Sequence, residues 1–94
     1  MKVYLDNAAT TPLDNEVIAA MIPVMEEGYG NPSSIHAFGR EARSRVERAR
    51  KNVAKYLNCS PGEIFFTSGG TEADNMAIRC AMTDLGINHA ITTN

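Results

Sequence analysis

The chain has 94 residues, of which 44% are hydrophobic and 21% charged, and its formal net charge at pH 7 is −2. This length suits one small domain, the composition is that of an ordinary globular protein, and the charge favours no particular partner. No apolar run approaches the ~18 residues of a membrane span and the start MKVYLDN does not resemble a signal peptide, so we expect a cytoplasmic protein without a membrane partner.

The first third of the chain predicts a short strand and then a helix. Residues 2–5 are strand-like and lead into the small-residue stretch at 6–12. Asp14 can cap a helix that begins near Glu16, because its carboxylate can accept a hydrogen bond from a free backbone N–H. Pro23 lies within the helical pattern and predicts that this helix is kinked or ends early. The apolar face has the helical spacing i, i+3, i+4, i+7 and consists of Ile18, Met21, Ile22 and Met25.

The clearest helix is predicted at 37–57, after a Gly/Asn/Pro/Ser-rich loop at 27–35. Residues 58–62 should break this helix. Seven of the nine basic residues lie on it, which suits either a solvated outer face or a nucleic-acid surface. Glu41 and Glu47 interrupt the basic patch and no stacking aromatics are interleaved, so we predict a solvated face and no nucleic-acid partner. The apolar stripe of the helix consists of Ala42, Val46, Ala49, Val53 and Leu57.

From residue 63 onward, the pattern predicts a strand, a turn, a helix and a second strand. The first strand is predicted as buried at 63–67, the helix at 71–85 with Gly86 ending it, and the second strand at 89–93. This order is a βαβ unit, whose strands are parallel. The helix residues expected to face inward are Ala73, Met76, Ala77, Cys80 and Ala81.

The Ser-Gly-Gly-Thr turn at 68–71 is the strongest candidate site. Gly69 and Gly70 have no Cβ, so an anion can approach the backbone closely and positive φ is inexpensive. The first N–H groups of the following helix lack helical partners and carry roughly half a positive charge. Thr71 with Asp74 also fits a capping box, a structural helix start without a ligand. The turn matches neither the dinucleotide-binding nor the nucleotide-triphosphate glycine motif, so a phosphate and a capping box remain the two alternatives.

The histidines and cysteines do not form a metal or nucleophile motif. His36 and His89 are far apart in sequence and have no ligand-spaced partners, so we expect no metal site. His36 suits either a local hydrogen bond in its loop or a pocket. Cys59 and Cys80 have no CxxC spacing and are interpreted as reduced thiols, with a disulfide as the alternative. We expect neither to be catalytic.

Three segments, in order, resemble the start of a pyridoxal-phosphate-dependent cysteine desulfurase of the class V aminotransferase group. They are YLDNAATTP at 4–12, GNPSSIHAFGREA at 30–42 and EIFFTSGGTEADNMAI at 63–78. The resemblance implies an α/β protein, the N-terminal part of a fold type I transferase. Residues 1–13 would be an N-terminal arm, and 14–94 the beginning of the large cofactor-binding domain, truncated.

The resemblance also implies a site and a reaction. Gly70 and Thr71 would bind the phosphate of pyridoxal 5′-phosphate, and Asn31 would lie near the substrate. The reaction would take sulfur from L-cysteine, leaving L-alanine and an enzyme persulfide for iron–sulfur cluster or thio-cofactor assembly. The partners implied are a second copy in a homodimer and a sulfur-acceptor or scaffold protein.

The chain departs from the family pattern in what it lacks. The Schiff-base lysine, the ring carboxylate and the acceptor cysteine are expected in later segments, so we expect no catalytic residue within these 94 residues and no activity from the chain alone. The alternative is a free-standing small α/β module that binds phosphate or a partner without catalysis.

Overall fold

The computed structural model describes residues 1–92. This part of the chain contains α1 (Asn15–Glu27), α2 (Ala37–Leu57), a 3₁₀ turn (Pro61–Glu63) and α3 (Gly70–Thr83). Each of the three helices expected from the sequence is present, and α2 has the predicted bounds. None of the helices in the described range has both the length and the apolar character needed to cross a bilayer.

The start of α1 follows the predicted capping pattern. Asp14 is extended, and its side chain accepts a hydrogen bond of 2.9 Å from the N–H of Glu16. The helix continues through Pro23 to Glu27, so of the two effects predicted for this proline the early end is not observed, and the kink stays a prediction. Its apolar face is not covered by any other residue in 1–92, since α1 has no buried residue.

The beginning of α2 packs against the loop that precedes it. His36 caps the helix, its Nδ1 accepting from the N–H of Gly39 at 3.4 Å. The rings of Tyr29 and Phe38 stack with centroids 5.7 Å apart. Gly39 is buried because the loop carbonyls lie directly over it, and Ala42 on the next turn is also buried. His36 therefore makes the local hydrogen bond, one of its two predicted roles.

The end of α2 is held to the segment that leads to α3. Asn58 adopts the left-handed conformation that often ends a helix, and the Ser60 and Glu63 side chains form a reciprocal capping box around the 3₁₀ turn. Arg50 donates from Nη1 to the carbonyl of Ile64, and its guanidinium lies 5.0 Å from the centroid of the Phe66 ring. Arg50 thus fixes the position of the segment before the glycine turn.

Two of the seven basic residues of α2 are therefore not solvated as predicted. The Arg50 side chain is only 24% exposed, and Arg45 is 32% exposed and paired with Glu41 at 2.6 Å. The buried residues of the helix also differ from the predicted stripe. Ala42 is buried as expected, but Ala54, which was not predicted, is the most buried, whereas Val46, Val53 and Leu57 are exposed.

The predicted strands are not confirmed, because residues 1–92 contain no strand. Residues 2–5, 63–67 and 89–92 are irregular, and residue 93 of the last predicted strand lies outside the described range. Phe65 and Phe66 are exposed, in contrast to the buried strand expected around them. A strand needs a hydrogen-bonded neighbour, and the sequence pattern records the tendency of a segment without supplying that neighbour.

The third helix begins at Gly70 and ends at Thr83, slightly before the predicted end. Gly86 then adopts a φ of +66°, a left-handed conformation that favours glycine, as its predicted role in ending the helix requires. The face expected to point inward is not buried: Ala81 is half-buried and the other four residues are exposed. α3 makes no contact with α1 or α2 in the described structure.

Residues 1–92 do not enclose a core of their own. The radius of gyration of the chain is 18.0 Å, whereas a compact domain of this length has about 12 Å. Its accessible surface is 8695 Å², against about 5,300 Å² for a compact monomer of the same size. The apolar faces of the helices are thus available to other protein surface.

Candidate functional site: the glycine turn at the start of α3

The start of α3 offers unpaired amide groups. Gly69 is the extended N-cap residue, with φ 168° and ψ 179°, and no side chain caps the helix. The first helical hydrogen bond runs from the N–H of Ala73 to the carbonyl of Gly69, at 3.1 Å. Among residues 1–92, the N–H groups of Gly70, Thr71 and Glu72 donate to no acceptor. The other helices of the described range have side-chain caps, so this start is chemically distinct.

The capping box predicted from Thr71 and Asp74 is wrong. The helix begins earlier than expected, which places Glu72 at its third position, where a capping-box acid normally lies. Glu72 reaches back past the N-cap to Ser68: its Oε2 accepts from the Ser68 N–H at 2.6 Å and from the Ser68 Oγ at 2.7 Å. Counting from an N-cap at Gly69 would have identified Glu72.

Positive φ is not the reason for the two glycines here. Neither Gly69 nor Gly70 has a left-handed backbone, so that part of the sequence argument is wrong for this turn. A Cβ built on either would have no atom within 4 Å. The turn is therefore open, and close approach of a ligand to its backbone remains a prediction.

Thr71 is placed to add a side-chain donor to the amide groups. It is exposed, and its hydroxyl makes no hydrogen bond within the described part of the chain. Its carbonyl accepts from the Asn75 side-chain amide at 2.7 Å. Together, Gly70 and Thr71 present two backbone N–H groups and one hydroxyl at the positive end of the α3 dipole, and this is a donor set that suits a phosphate.

The pKa of Glu72 is lowered, first by the hydrogen bond from the Ser68 N–H and second by that from its hydroxyl, because both stabilise the ionised carboxylate. A carboxyl group whose folded-state pKa lies below its unfolded value stabilises the folded turn above the unfolded pKa. This contribution is lost as the pH falls through the lowered folded pKa. The contact is thus complete at neutral pH.

We predict that acidification releases Ser68 from Glu72. An NMR titration of the native protein should show the Glu72 carboxyl carbon and the Ser68 amide proton moving together, with a midpoint below that of an ordinary glutamate. S68A should raise the midpoint only in part, because the backbone N–H, the larger cause, remains. The contact would be contradicted if the titration midpoint of Glu72 lay at or above that of an ordinary glutamate. It would also be contradicted if the chemical shift of the Ser68 amide proton did not change with the same midpoint.

Asn31 lies elsewhere, in the loop before α2. Its Oδ1 accepts from the N–H of Ser33 at 2.9 Å, and its carbonyl accepts from the N–H of Ser34 at 3.0 Å. The side chain therefore stabilises a turn in the way asparagine commonly does. Because no described contact joins α2 to α3, the structure does not bring Asn31 to Gly70 and Thr71.

The remaining candidates are not assembled into a reactive group. Cys59 is half-buried beyond the end of α2, Cys80 is exposed on α3, and both are free thiols. In the range 1–92, no three His, Cys, Asp or Glu side chains are grouped as metal ligands would be. Lys51 and Lys55 lie on α2, away from the glycine turn.

Comparison with known proteins identifies the family. The model of the family described as aminotransferase class-V matches residues 3–94. The chain is 53% identical to cysteine desulfurase IscS of Dictyoglomus turgidum over 98% of its length, and 48% identical to that of Methanosarcina thermophila over the same share. It is 56% identical to cysteine desulfurase IscS of Neisseria meningitidis over 84% of its length.

The matched region is a small part of each relative. The chain spans 22% of the Dictyoglomus protein, 23% of the Methanosarcina protein and 20% of the Neisseria protein. The match nevertheless includes nearly every residue of the chain, with the glycine turn and α3 inside it. The chain belongs to the aminotransferase class-V family.

Proposed function

We propose that this chain supplies the phosphate-binding turn of a pyridoxal-phosphate-dependent cysteine desulfurase. The N–H groups of Gly70 and Thr71 and the Thr71 hydroxyl would bind the phosphate of the cofactor. The observation that carries the proposal is the uncapped start of α3, where the first amide groups have no acceptor in the described chain. The names of the relatives, all cysteine desulfurases, support the reaction.

The residues present fit a phosphate ester. Backbone N–H groups at a helix N-terminus bind anions by hydrogen bonds and through the helix dipole. The space around Gly70 is open, so an oxygen atom could approach the backbone without displacing a side chain. The acid nearest to the turn, Glu72, is engaged with Ser68 and leaves these amides free.

The role of the chain itself is to bind and orient. When bound, pyridoxal phosphate would supply the electron sink for cleavage of the carbon–sulfur bond of L-cysteine. Fixing its phosphate on a rigid helix start would limit rotation of the cofactor relative to the rest of the site. The overall reaction converts L-cysteine and an acceptor thiol into L-alanine and a persulfide, and the balance of atoms requires no external oxidant.

The family also supports a wider architecture, which we include in the proposal. Class V aminotransferases have the fold type I architecture, in which the segments 63–67 and 89–93 would be strands of a mostly parallel sheet completed by other strands. Residues 1–13 would be an arm, and 14–94 the beginning of the large domain. A homodimer and a sulfur-acceptor protein would be partners, and Asn31 would approach the substrate once the rest of the protein is in place.

The test is removal of the Thr71 hydroxyl. T71V in the native protein should weaken the binding of pyridoxal phosphate by about 10- to 150-fold, because a hydrogen bond to a charged group contributes about 1.5–3 kcal/mol. Equilibrium dialysis with absorbance of the released cofactor would measure this change. T83V is the matched control: Thr83 lies at the far end of the same helix, and its hydroxyl donates to the Arg79 carbonyl. Equal cofactor affinity in T71V and T83V would contradict the proposal.

A further inference from the structure

We propose that Glu72 is a positioning residue of the phosphate turn, which by holding Ser68 fixes the two glycines that lead into α3. Glu72 would not contact the cofactor and would act only through Ser68. This inference rests on the proposed function, because the turn needs positioning only if a ligand binds there.

The geometry is a short closed loop around the diglycine. Both donors of Ser68, its N–H and its Oγ, reach the same oxygen of Glu72, at 2.6 and 2.7 Å. Gly69 and Gly70 lie between the two ends of this contact. The Thr67 hydroxyl adds a bond of 3.1 Å to the Gly69 carbonyl. Hydrogen bonds thus restrain the backbone both before Gly69, through Thr67 and Ser68, and after it, through Glu72.

Apart from these contacts and the first helical hydrogen bond, from the Ala73 N–H to the Gly69 carbonyl, the glycines have no packing restraint in residues 1–92. A Cβ at either position would meet nothing within 4 Å, so no neighbouring atoms confine the turn. Glycine has the largest conformational freedom of any residue, and two in succession would otherwise sample many backbone angles. Since α3 contacts neither α1 nor α2 in residues 1–92, the Ser68–Glu72 contact is the main local element that determines where its first amides point.

The carboxylate of Glu72 points toward Ser68, away from the free amides of Gly70 and Thr71. An unpaired carboxylate at the start of α3 would compete with a phosphate for the free amides of Gly70 and Thr71. Ser68 supplies two donors to this carboxylate and keeps it on the residue before the N-cap. Asp74, on the next turn of the same helix, makes no side-chain hydrogen bond in the described region and does not restrain the glycines. The two acids therefore have different expected roles although both lie near the positive end of α3.

The experiment compares Glu72→Ala with Asp74→Ala in the native protein. Each change removes one carboxylate from the first turns of α3, but only the first releases Ser68. We expect E72A to weaken pyridoxal phosphate binding about 10-fold and D74A to alter it less than about 2-fold. E72Q, which keeps an acceptor oxygen for Ser68, should recover most of the affinity. Amide hydrogen exchange of residues 68–72 in the cofactor-free protein gives a second readout, which should rise in E72A and not in D74A.

The outcomes distinguish failure of the positioning role of Glu72 from failure of the phosphate site itself. If E72A binds the cofactor as D74A does, or exchanges no faster at 68–72, the positioning role is excluded while T71V can still show the phosphate site. If T71V has no effect on binding, the proposed function itself fails. Should E72A not fold, E72D decides: its carboxylate is one methylene shorter and would not reach both donors of Ser68, and an affinity unchanged from that of the native protein would overturn the positioning role.

Discussion

The 94-residue chain, expressed alone, is expected to show no cooperative thermal unfolding transition. Only Ala42 and Ala54 are buried among its hydrophobic residues in the described range, and its radius of gyration is 18.0 Å. A cooperatively folded domain of this length would unfold with an enthalpy of about 65 kcal/mol. We expect a calorimetric scan of the isolated chain to show a small fraction of that value, together with strong binding of the dye ANS to its exposed apolar faces.

The control for this first prediction is the native protein with all of its chain. There the same helices should be protected from hydrogen exchange, because their apolar faces would be covered by the remaining protein. The surface that the remaining protein would cover includes the apolar face of α1. Its exposed large residues include Ile18, Met21, Ile22 and Met25. A sharp, reversible transition with the full enthalpy for a monomer of the isolated chain would contradict the prediction and favour the free-standing module.

The helices were predictable because their signals are local. Asp14 caps α1, Asn58 ends α2 and Gly86 follows α3, and each depends on residues within a few positions in sequence. The sequence left the end of α1 open at Pro23, since a proline within a helical pattern can either kink the helix or end it. The predicted start of α3 was too late in the sequence, because Gly69 and not Thr71 is the N-cap of this helix.

The strands and the buried faces were not predictable in the same way. Strand formation at 63–67 depends on hydrogen-bonding partners far away in sequence, and none is present in residues 1–92. The role of Arg50 was also missed, because its contacts with Ile64 and Phe66 cross 14 and 16 positions, whereas helical charge patterns suggest only local pairs. Residue types alone left a phosphate site and a capping box as alternatives for the glycine turn, and the Ser68–Glu72 contact required the structure.

Gly70→Ala in the native protein is expected to separate the stability of the fold from ligand binding. Gly70 is the first residue of α3 and has no left-handed backbone, and a Cβ there would meet no atom of this chain within 4 Å. Alanine loses less conformational freedom than glycine on folding, so the free energy of unfolding should be unchanged or rise by about 0.5–1 kcal/mol. A phosphate bound to the amides of Gly70 and Thr71 would meet the added methyl group, and its affinity should fall about 30- to 100-fold, which is about 2–2.7 kcal/mol.

The measurement is a pair of experiments on G70A in the native protein, thermal unfolding without cofactor and equilibrium dialysis with pyridoxal phosphate. Gly62→Ala is the matched control, since Gly62 lies in the 3₁₀ turn and its added Cβ would be 3.7 Å from Ser60 Oγ, an ordinary contact. G62A should leave cofactor affinity unchanged. If G70A bound pyridoxal phosphate with the same affinity as G62A, the phosphate would not occupy the space beside Gly70. The openness of the turn would then have to be explained by packing against other protein surface. A loss of affinity at constant stability would exclude that explanation, because a methyl group that clashed with packed protein would also lower the free energy of unfolding.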